Sequence, residues 1–234
     1  MKTPLTRVRL QEHWRYSWWK YLLLAALALG GWSIAMTVTA PRTPENKLLE
    51  VYFFAYGQEE RVNNYLSGLQ EREFPDQETV HSLWIPSDGA DGVVVLSTRL
   101  MAGEAELTVL PREQFQSFAN TGTFVALDQL PGVVNACEAA GLNVERAWRV
   151  EESSGERHLF GIPLQGLPFL RESIYNVGTA NEYYLSIRVH NGNDANSARL
   201  LGLLLRELMT GAEGAEGLDE LCAPVPAEEE APAK

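Results

Sequence analysis

The chain is short of cysteine and histidine, and over one stretch of twenty residues it carries no charge at all. Only two of its 234 residues are cysteine, Cys137 and Cys222. Two cysteines so far apart build no zinc site. They allow one disulfide at most, and a Cys137–Cys222 bond and a pair of buried free thiols are both open readings. Beyond the uncharged stretch the histidines His81, His158 and His190 lie far from one another with no i, i+4 partner, so they read as surface or strand residues and no metal site is expected. Asp88, Asp91, Glu104 and Glu106 do not follow the spacing of a calcium loop and read as capping and solubilising acids. No glycine-rich phosphate loop is present, and Ser97, in VLSTRL, lacks the glycines of a nucleophile elbow. The expectation is a protein without cofactor, metal or catalytic residue, and not an enzyme. No internal repeat is visible.

Basic residues are scarce beyond position 20. The chain holds 19 basic and 31 acidic residues, and five of the former against one of the latter precede residue 21, so 14 basic residues face 30 acidic ones beyond residue 40. A surface with that surplus repels phosphate backbones, which excludes nucleic acid as a partner.

The uncharged stretch is YLLLAALALGGWSIAMTVTA, residues 21–40. Twenty residues of helix span roughly 30 Å, the hydrocarbon thickness of a bilayer. Trp18, Trp19 and Tyr21 form an interfacial belt at one end, and the basic flank of residues 1–20 belongs on the cytoplasmic side. A cleaved secretory signal is the rival reading, opposed by Pro41 after the would-be cut and by the long basic region before the apolar run. The expected arrangement is a single-pass cell-membrane protein in contact with the lipid bilayer. Its N-terminus is cytoplasmic and its main domain extracellular.

The rest of the chain divides into a spacer (41–47), a domain (48–210) and an acidic, solvated tail (211–234) expected to be disordered. Within the domain, 48–57 (LLEVYFFAYG) reads as a buried strand and 58–72 as an amphipathic helix ended by Phe74-Pro75. Residues 78–86 form a second strand and 92–102 a second helix closed by Gly103. A third strand covers 106–110, and Pro111 opens a helix over 112–119. Helical stretches follow in 133–148, strands near 158–163 and over 182–190, and a leucine-rich core helix over 195–209. Alternation of strand and helix predicts an α/β fold, with a parallel-type sheet and helices on both faces, preceded by one transmembrane helix.

Residues 91–130 carry Ala102-Gly103-Glu104 at a helix end, then the acid-led strand Glu106 to Leu110. An aromatic-x-x-x-A-x-x-G helix ending (Phe115 to Gly122) and Leu127-Asp128 follow. In this order they resemble the first lobe of bacterial extracellular solute-binding proteins of the ABC-transporter type. FGIPLQG (160–166) and EYYLSIRVHNGNDANSARLLGLLL (from 182) resemble that family's later return strands and helix. The resemblance implies one periplasmic-binding-protein-like lobe and not two, since only residues 167–181 separate the two return segments. It also implies a binding role beside a transporter.

In such sheets ligands bind beyond the carboxyl ends of the strands. That edge would carry the candidate ligand-binding residues Tyr56, Gln58, Ser87, Asp88, Pro111, Arg112 and Gln165. Tyr and Gln offer stacking and hydrogen bonds, and the helix from Pro111 offers free amides to an anion. Two functions are open: a membrane-anchored module capturing or sensing a small solute, and a scaffold subunit that has lost its ligand and meets a transporter or other membrane protein.

Overall fold

The computed structural model describes residues 7–39, 47–152, 154–175, 182–189, 193–212 and 215–225. The chain separates into two units, Met1–Arg42 and Thr43–Lys234. In the first, a helix α1 runs over Arg7–Thr39. Its segment Trp18–Thr37 is long and apolar enough to cross a membrane, with mean hydropathy 1.3. Leu24, Leu27, Leu29, Trp32 and Ile34 on it are all exposed. The expected spacer, 41–47, lies almost wholly outside the described residues, as do residues 1–6 of the basic segment.

The second unit is built on β1 (Leu48–Phe54), whose run LLEVYFF is apolar on both faces. A strand of that kind belongs in the middle of a sheet. The sheet order is β2-β1-β3-β7-β6. Helix α2 (Glu59–Glu73) leads to β2 (Thr79–Ile85), and α3 (Gly89–Ala102) leads to β3 (Leu107–Pro111). Both β2 and β3 pair with β1 in parallel. Because β2 and β3 lie on opposite sides of β1, right-handed crossovers place α2 and α3 on opposite faces. After β3 come α4 (Arg112–Ala119), α5 (Val133–Ala139), β4 (Trp148–Val150), β5 (Arg157–Leu159), β6 (Ile162–Pro163), α6 (Pro168–Ser173), β7 (Tyr183–Ile187), α7 (Asp194–Leu208) and α8 (Leu218–Leu221).

The expected α/β class is present: a mostly parallel sheet flanked by helices. One strand departs from it, β7, which runs antiparallel to both β3 and β6. The strand expected near 158–163 is two short ones. β5 pairs with β4 in a separate ribbon, and only β6 joins the main sheet. His190 and the end of the strand expected over 182–190 lie outside the described residues.

Gly103 ends α3 as expected. It sits at φ 90°, in the left-handed region that glycine adopts freely, and its amide turns back to the carbonyls of Arg99 and Leu100. Arg188 completes that helix end, its guanidinium donating to the Leu100 and Gly103 carbonyls at 3.1 Å each. The edge strand β2 is closed from outside by α2. Asn63 Oδ1 accepts from the Ser82 amide at 2.6 Å, and Gln70 Oε1 accepts from the Val80 amide at 3.1 Å. Two edge amides that would otherwise invite another strand are thereby satisfied.

The expectation of a solvated tail from residue 211 fails for its described part. Ala212, Leu218, Leu221 and Cys222 are buried, and Arg199 of α7 donates from Nε to the Cys222 carbonyl at 3.1 Å. The alternating Gly, Ala and Glu of this segment masked three well-spaced apolar residues. Residues 226–234 lie outside the described set. A chain ending at residue 210 is therefore expected to be less stable than one ending at 225. Fully burying a leucine contributes about 1.5–3 kcal/mol, so losing Leu218 and Leu221 lowers unfolding stability by about 3 kcal/mol or more, read from urea denaturation of the two forms.

Candidate functional site

Parallel pairing sends the end of every forward strand to one edge of the sheet. Tyr56 and Gln58 follow β1 there, Ser87 and Asp88 follow β2, Pro111 ends β3 with Arg112 after it, and Gln165 follows β6. Neighbouring strands are ~4.8 Å apart, so β1 and β6, three places apart, are separated by roughly 14 Å. One edge therefore gathers all seven predicted residues but not into one spot.

Two of them meet directly. The hydroxyl of Tyr56 donates to Asp88 Oδ1, joining the loops after β1 and β2. That bond is the first cause raising the Tyr56 phenol above its ordinary value, since ionisation would set two negative oxygens together. Asp88 stands at the N-terminal boundary of α3 but makes no side-chain cap there. Its partner is the tyrosine instead.

Gln58 lines an open depression of about 620 Å³ with Gly57, Glu59, Glu60, Arg61, Asn64 and Tyr175. Its floor depends on Gly57. A Cβ at that position would collide with the Trp84 ring and the Ser173 carbonyl. Without one, residues 173–175 lie against the loop after β1. Gly57 bridges Ile174, the Gln58 amide donates to Ser173 O at 2.7 Å, and the Tyr175 amide donates to Tyr56 O at 2.7 Å. Of the lining residues Tyr175 is 53% exposed, and its backbone neighbour Tyr56, which does not line the depression, is 49% exposed. Arg61 is partly engaged, its guanidinium 4.7 Å from the Phe169 ring centroid and 3.7 Å from a Glu172 carboxylate oxygen.

The other predicted residues lie outside this depression. Ser87 is half-buried and Gln165 is exposed. Pro111 caps the start of α4, and the Arg112 amide donates to the Glu182 carbonyl at 2.8 Å. With that amide taken and Glu113 in the first turn, the helix start has little to offer an anion. Sequence reasoning missed Glu60, Arg61, Asn64 and Tyr175. The first three lie on α2 and follow from its facing. Tyr175 had no such signal, because only the close approach permitted by Gly57 brings it there.

The acids read as solubilising include one that is not. Glu106 is 5% exposed and accepts the Glu50 amide of β1. His158 Nδ1 lies 3.0 Å from Asp128 Oδ2 and its Nε2 3.4 Å from Glu156. Among the described residues no group of three or more His, Cys, Asp or Glu side chains is placed to hold a metal ion. The disulfide weighed from sequence is absent: Cys137 and Cys222 are buried free thiols. Burial pushes the Cys137 thiol up to about 12, with the Glu138 charge adding to it, and burial also raises Cys222.

No protein-family model matches the chain, and no curated protein matches it. Solved structures match it in part. An extracellular solute-binding protein, family 1, of Alicyclobacillus acidocaldarius is 18% identical with a TM-score of 0.38, over 50% of this chain and 27% of its own. An uncharacterized protein of Listeria monocytogenes is 12% identical with a TM-score of 0.36, over 68% of this chain and 38% of its own. The maltose-binding periplasmic protein MalE of Listeria monocytogenes, solved with maltose, is 15% identical with a TM-score of 0.32, over 51% and 27%. The chain thus spans about a quarter to two-fifths of the length of these proteins. Identities this low do not speak to ligand or activity.

Raised, buried thiols react slowly because the thiolate is the nucleophile. Modification of Cys137 and Cys222 by a disulfide reagent at pH 8 is expected to be at least about a hundredfold slower in the native protein than in urea, followed by absorbance of the released thiolate.

Proposed function

We propose that the chain is a membrane-anchored, non-catalytic binding module whose extracytoplasmic domain captures or senses a small polar solute at the edge beyond β1. The observation that carries this reading is the open depression, lined by the polar residues Gln58, Glu59, Glu60, Arg61 and Asn64 together with Tyr175. Convergent polar groups beside an aromatic ring, at the carboxyl end of a parallel sheet, are the usual makings of a ligand site. The apolar helix α1, with its basic flank, supports the anchor. A transporter or other membrane protein is the partner this reading calls for.

The scaffold reading has one observation of its own. The outward face of α3 carries Val94 and Met101 at 60% and 87% exposure, beside the half-exposed Val93 and Val95. Apolar side chains in the open are suited to meeting another protein.

A thermal-shift screen of the full chain in detergent micelles, against sugars, amino acids, peptides, polyamines and metal ions, separates the two. A solute that binds only the folded state adds about 2.7 kcal/mol at a hundredfold excess over its Kd. The expected result is a saturable rise in Tm with one class, weakened about five- to tenfold in Kd by Tyr175→Ala, which removes a stacking surface of about 1–1.5 kcal/mol. No shift with any class turns the assignment to the scaffold. The orientation is checked with single cysteines at Thr3 and Thr43 and an impermeant maleimide on intact cells. Thr43→Cys is expected to label and Thr3→Cys to stay dark, and the reverse pattern overturns the topology.

A further inference from the structure

The amino edge of the sheet, opposite the candidate site, carries a row of ionisable residues. In the parallel register Glu50 on β1 stands beside His81 on β2, and Val51 stands beside Leu107 on β3. One step back from that second pair, Glu106 stands beside Glu50. On its other side Leu107 pairs with Ile187 of β7, so Arg188 stands beside Glu106 and donates its amide to the Glu106 carbonyl at 3.0 Å. His81, Glu50, Glu106 and Arg188 thus form one line across four adjacent strands, with two carboxyl groups side by side at its centre.

The line is bonded and largely shielded. His81 Nε2 lies 3.2 Å from Glu50 Oε1. The Glu106 carboxylate accepts the Glu50 amide, and the Glu106 amide donates to the Glu50 carbonyl at 3.1 Å. Tyr52, two residues along β1, has its hydroxyl 3.1 Å from Glu50 Oε2 and 3.1 Å from Glu104 Oε2. Arg99 of α3 donates to that hydroxyl at 3.1 Å and to Glu104 at 3.2 Å.

We propose that the His81–Glu50–Glu106–Arg188 row is a pH-sensitive lock on the amino edge of the sheet, holding β2, β1, β3 and β7 in register most firmly at mildly acidic pH and loosening that edge above neutrality. Both inner residues are acids on adjacent strands, and across the sheet His81 is bonded to the Glu50 carboxylate. Two like charges in so dry a place repel strongly.

The titrations agree in direction. Burial, with the Glu50 charge behind it, pushes the Glu106 carboxyl up to about 7, against the lowering effect of the Glu50 amide and of Arg188. His81 is raised, chiefly by its bond to Glu50, with Glu106 and the more distant Glu59 of α2 adding to it. Burial raises Glu50, but the bonds from His81 and Tyr52 outweigh it, with Arg99 helping, and leave it lowered.

The signs follow from which state holds more protons. Glu106 is a carboxyl whose folded value lies above its unfolded value of 4.5. The folded state keeps its proton longer, so stability falls as pH rises from there through about 7. The His81 contribution is present below its ordinary 6.5 and is lost as pH rises through its raised folded value. Glu50 works in the other direction and matters only on acidification below 4.5. Between pH 5 and 8 the first two act together.

The test is urea unfolding of the full chain in detergent micelles from pH 5 to 8.5, with Glu106→Gln alongside. The wild type is expected to lose stability with rising pH, its unfolding equilibrium moving by up to about tenfold per pH unit for each linked proton. In Glu106→Gln that slope shrinks to the part owed to His81 and to His158, which its bond to Asp128 also raises. A wild-type profile that is flat or rises over this window overturns the proposal, as does an unchanged slope in the variant. Should Glu106→Gln fail to fold, infrared spectroscopy of the wild type follows the protonated carboxyl stretch directly. A buried band that titrates near pH 7 supports the lock, and no such band above pH 5 overturns it.

Discussion

Parallel pairing of β1 with both of its neighbours is the constraint from which the rest of the second unit follows. A parallel strand cannot be reached by a tight turn. The chain must cross back over a face of the sheet each time, which is why α2 and α3 exist and why they lie on opposite faces. β1 can occupy the centre because Leu49, Val51, Tyr52, Phe53 and Phe54 are all buried, with side chains to spare for both faces. The same constraint sorts the loops. Every forward strand ends at one edge, so that edge collects the turns after β1, β2, β3 and β6. The opposite edge receives the helix ends.

The two edges are consequently unlike in chemistry. At the carboxyl edge the connections are exposed, the side chains Tyr56, Gln58 and Tyr175 project outward, and a single glycine lets a distant segment lie close. At the amino edge the strands are stitched by Glu106, Glu50, His81 and Arg188, and α3 is tied in through Arg99, Glu104 and the carbonyls that Arg188 holds. An open edge needs a rigid one behind it: side chains facing a solute keep their places only if the strands that carry them do not slide. Register is the property the ionisable row protects, because a slip of one residue would exchange the side chains that β1 presents to its two covered faces.

Much of this was legible in the sequence, and the failures have physical causes. The strand–helix alternation from residue 48 to 119 was readable because a fully apolar strand, an amphipathic helix and a glycine stop each leave a distinct local pattern. Gly103 was placed correctly for that reason. The antiparallel β7 was not readable. EYYLSIRVH has the composition of a buried strand in either direction, and direction is set by the connection from α6, whose residues 176–181 lie outside the described set. Glu106 was misread because an acid ahead of an apolar run looks the same whether it faces water or accepts a neighbouring strand's amide. The segment 215–225 was misread because its Leu218, Leu221 and Cys222 are spaced among glycines and acids, and only the packing against α7 shows them to be core. Of the candidate site, the edge was legible and the spot was not. Tyr56, Gln58 and Asp88 come from strand ends, which sequence can locate, whereas Tyr175 is brought beside them by a contact more than a hundred residues long in sequence.

The depression's openness sets what a binding role there requires. A ligand pocket typically shields about 70–90% of its guest, and an open depression on one edge of a sheet cannot do that alone. Each amide or carboxylate facing the guest still competes with water, so its hydrogen bonds contribute near the low end of the usual ~0.5–1.5 kcal/mol. Affinity must then come from elsewhere. Under the proposed function, one source is a second surface that closes over Tyr175. Another is the proposed membrane anchor. A module confined to the membrane beside its acceptor works at a high effective concentration, so even a weakly held solute can be handed over. Under the proposed function, either route calls for a membrane partner beside the site.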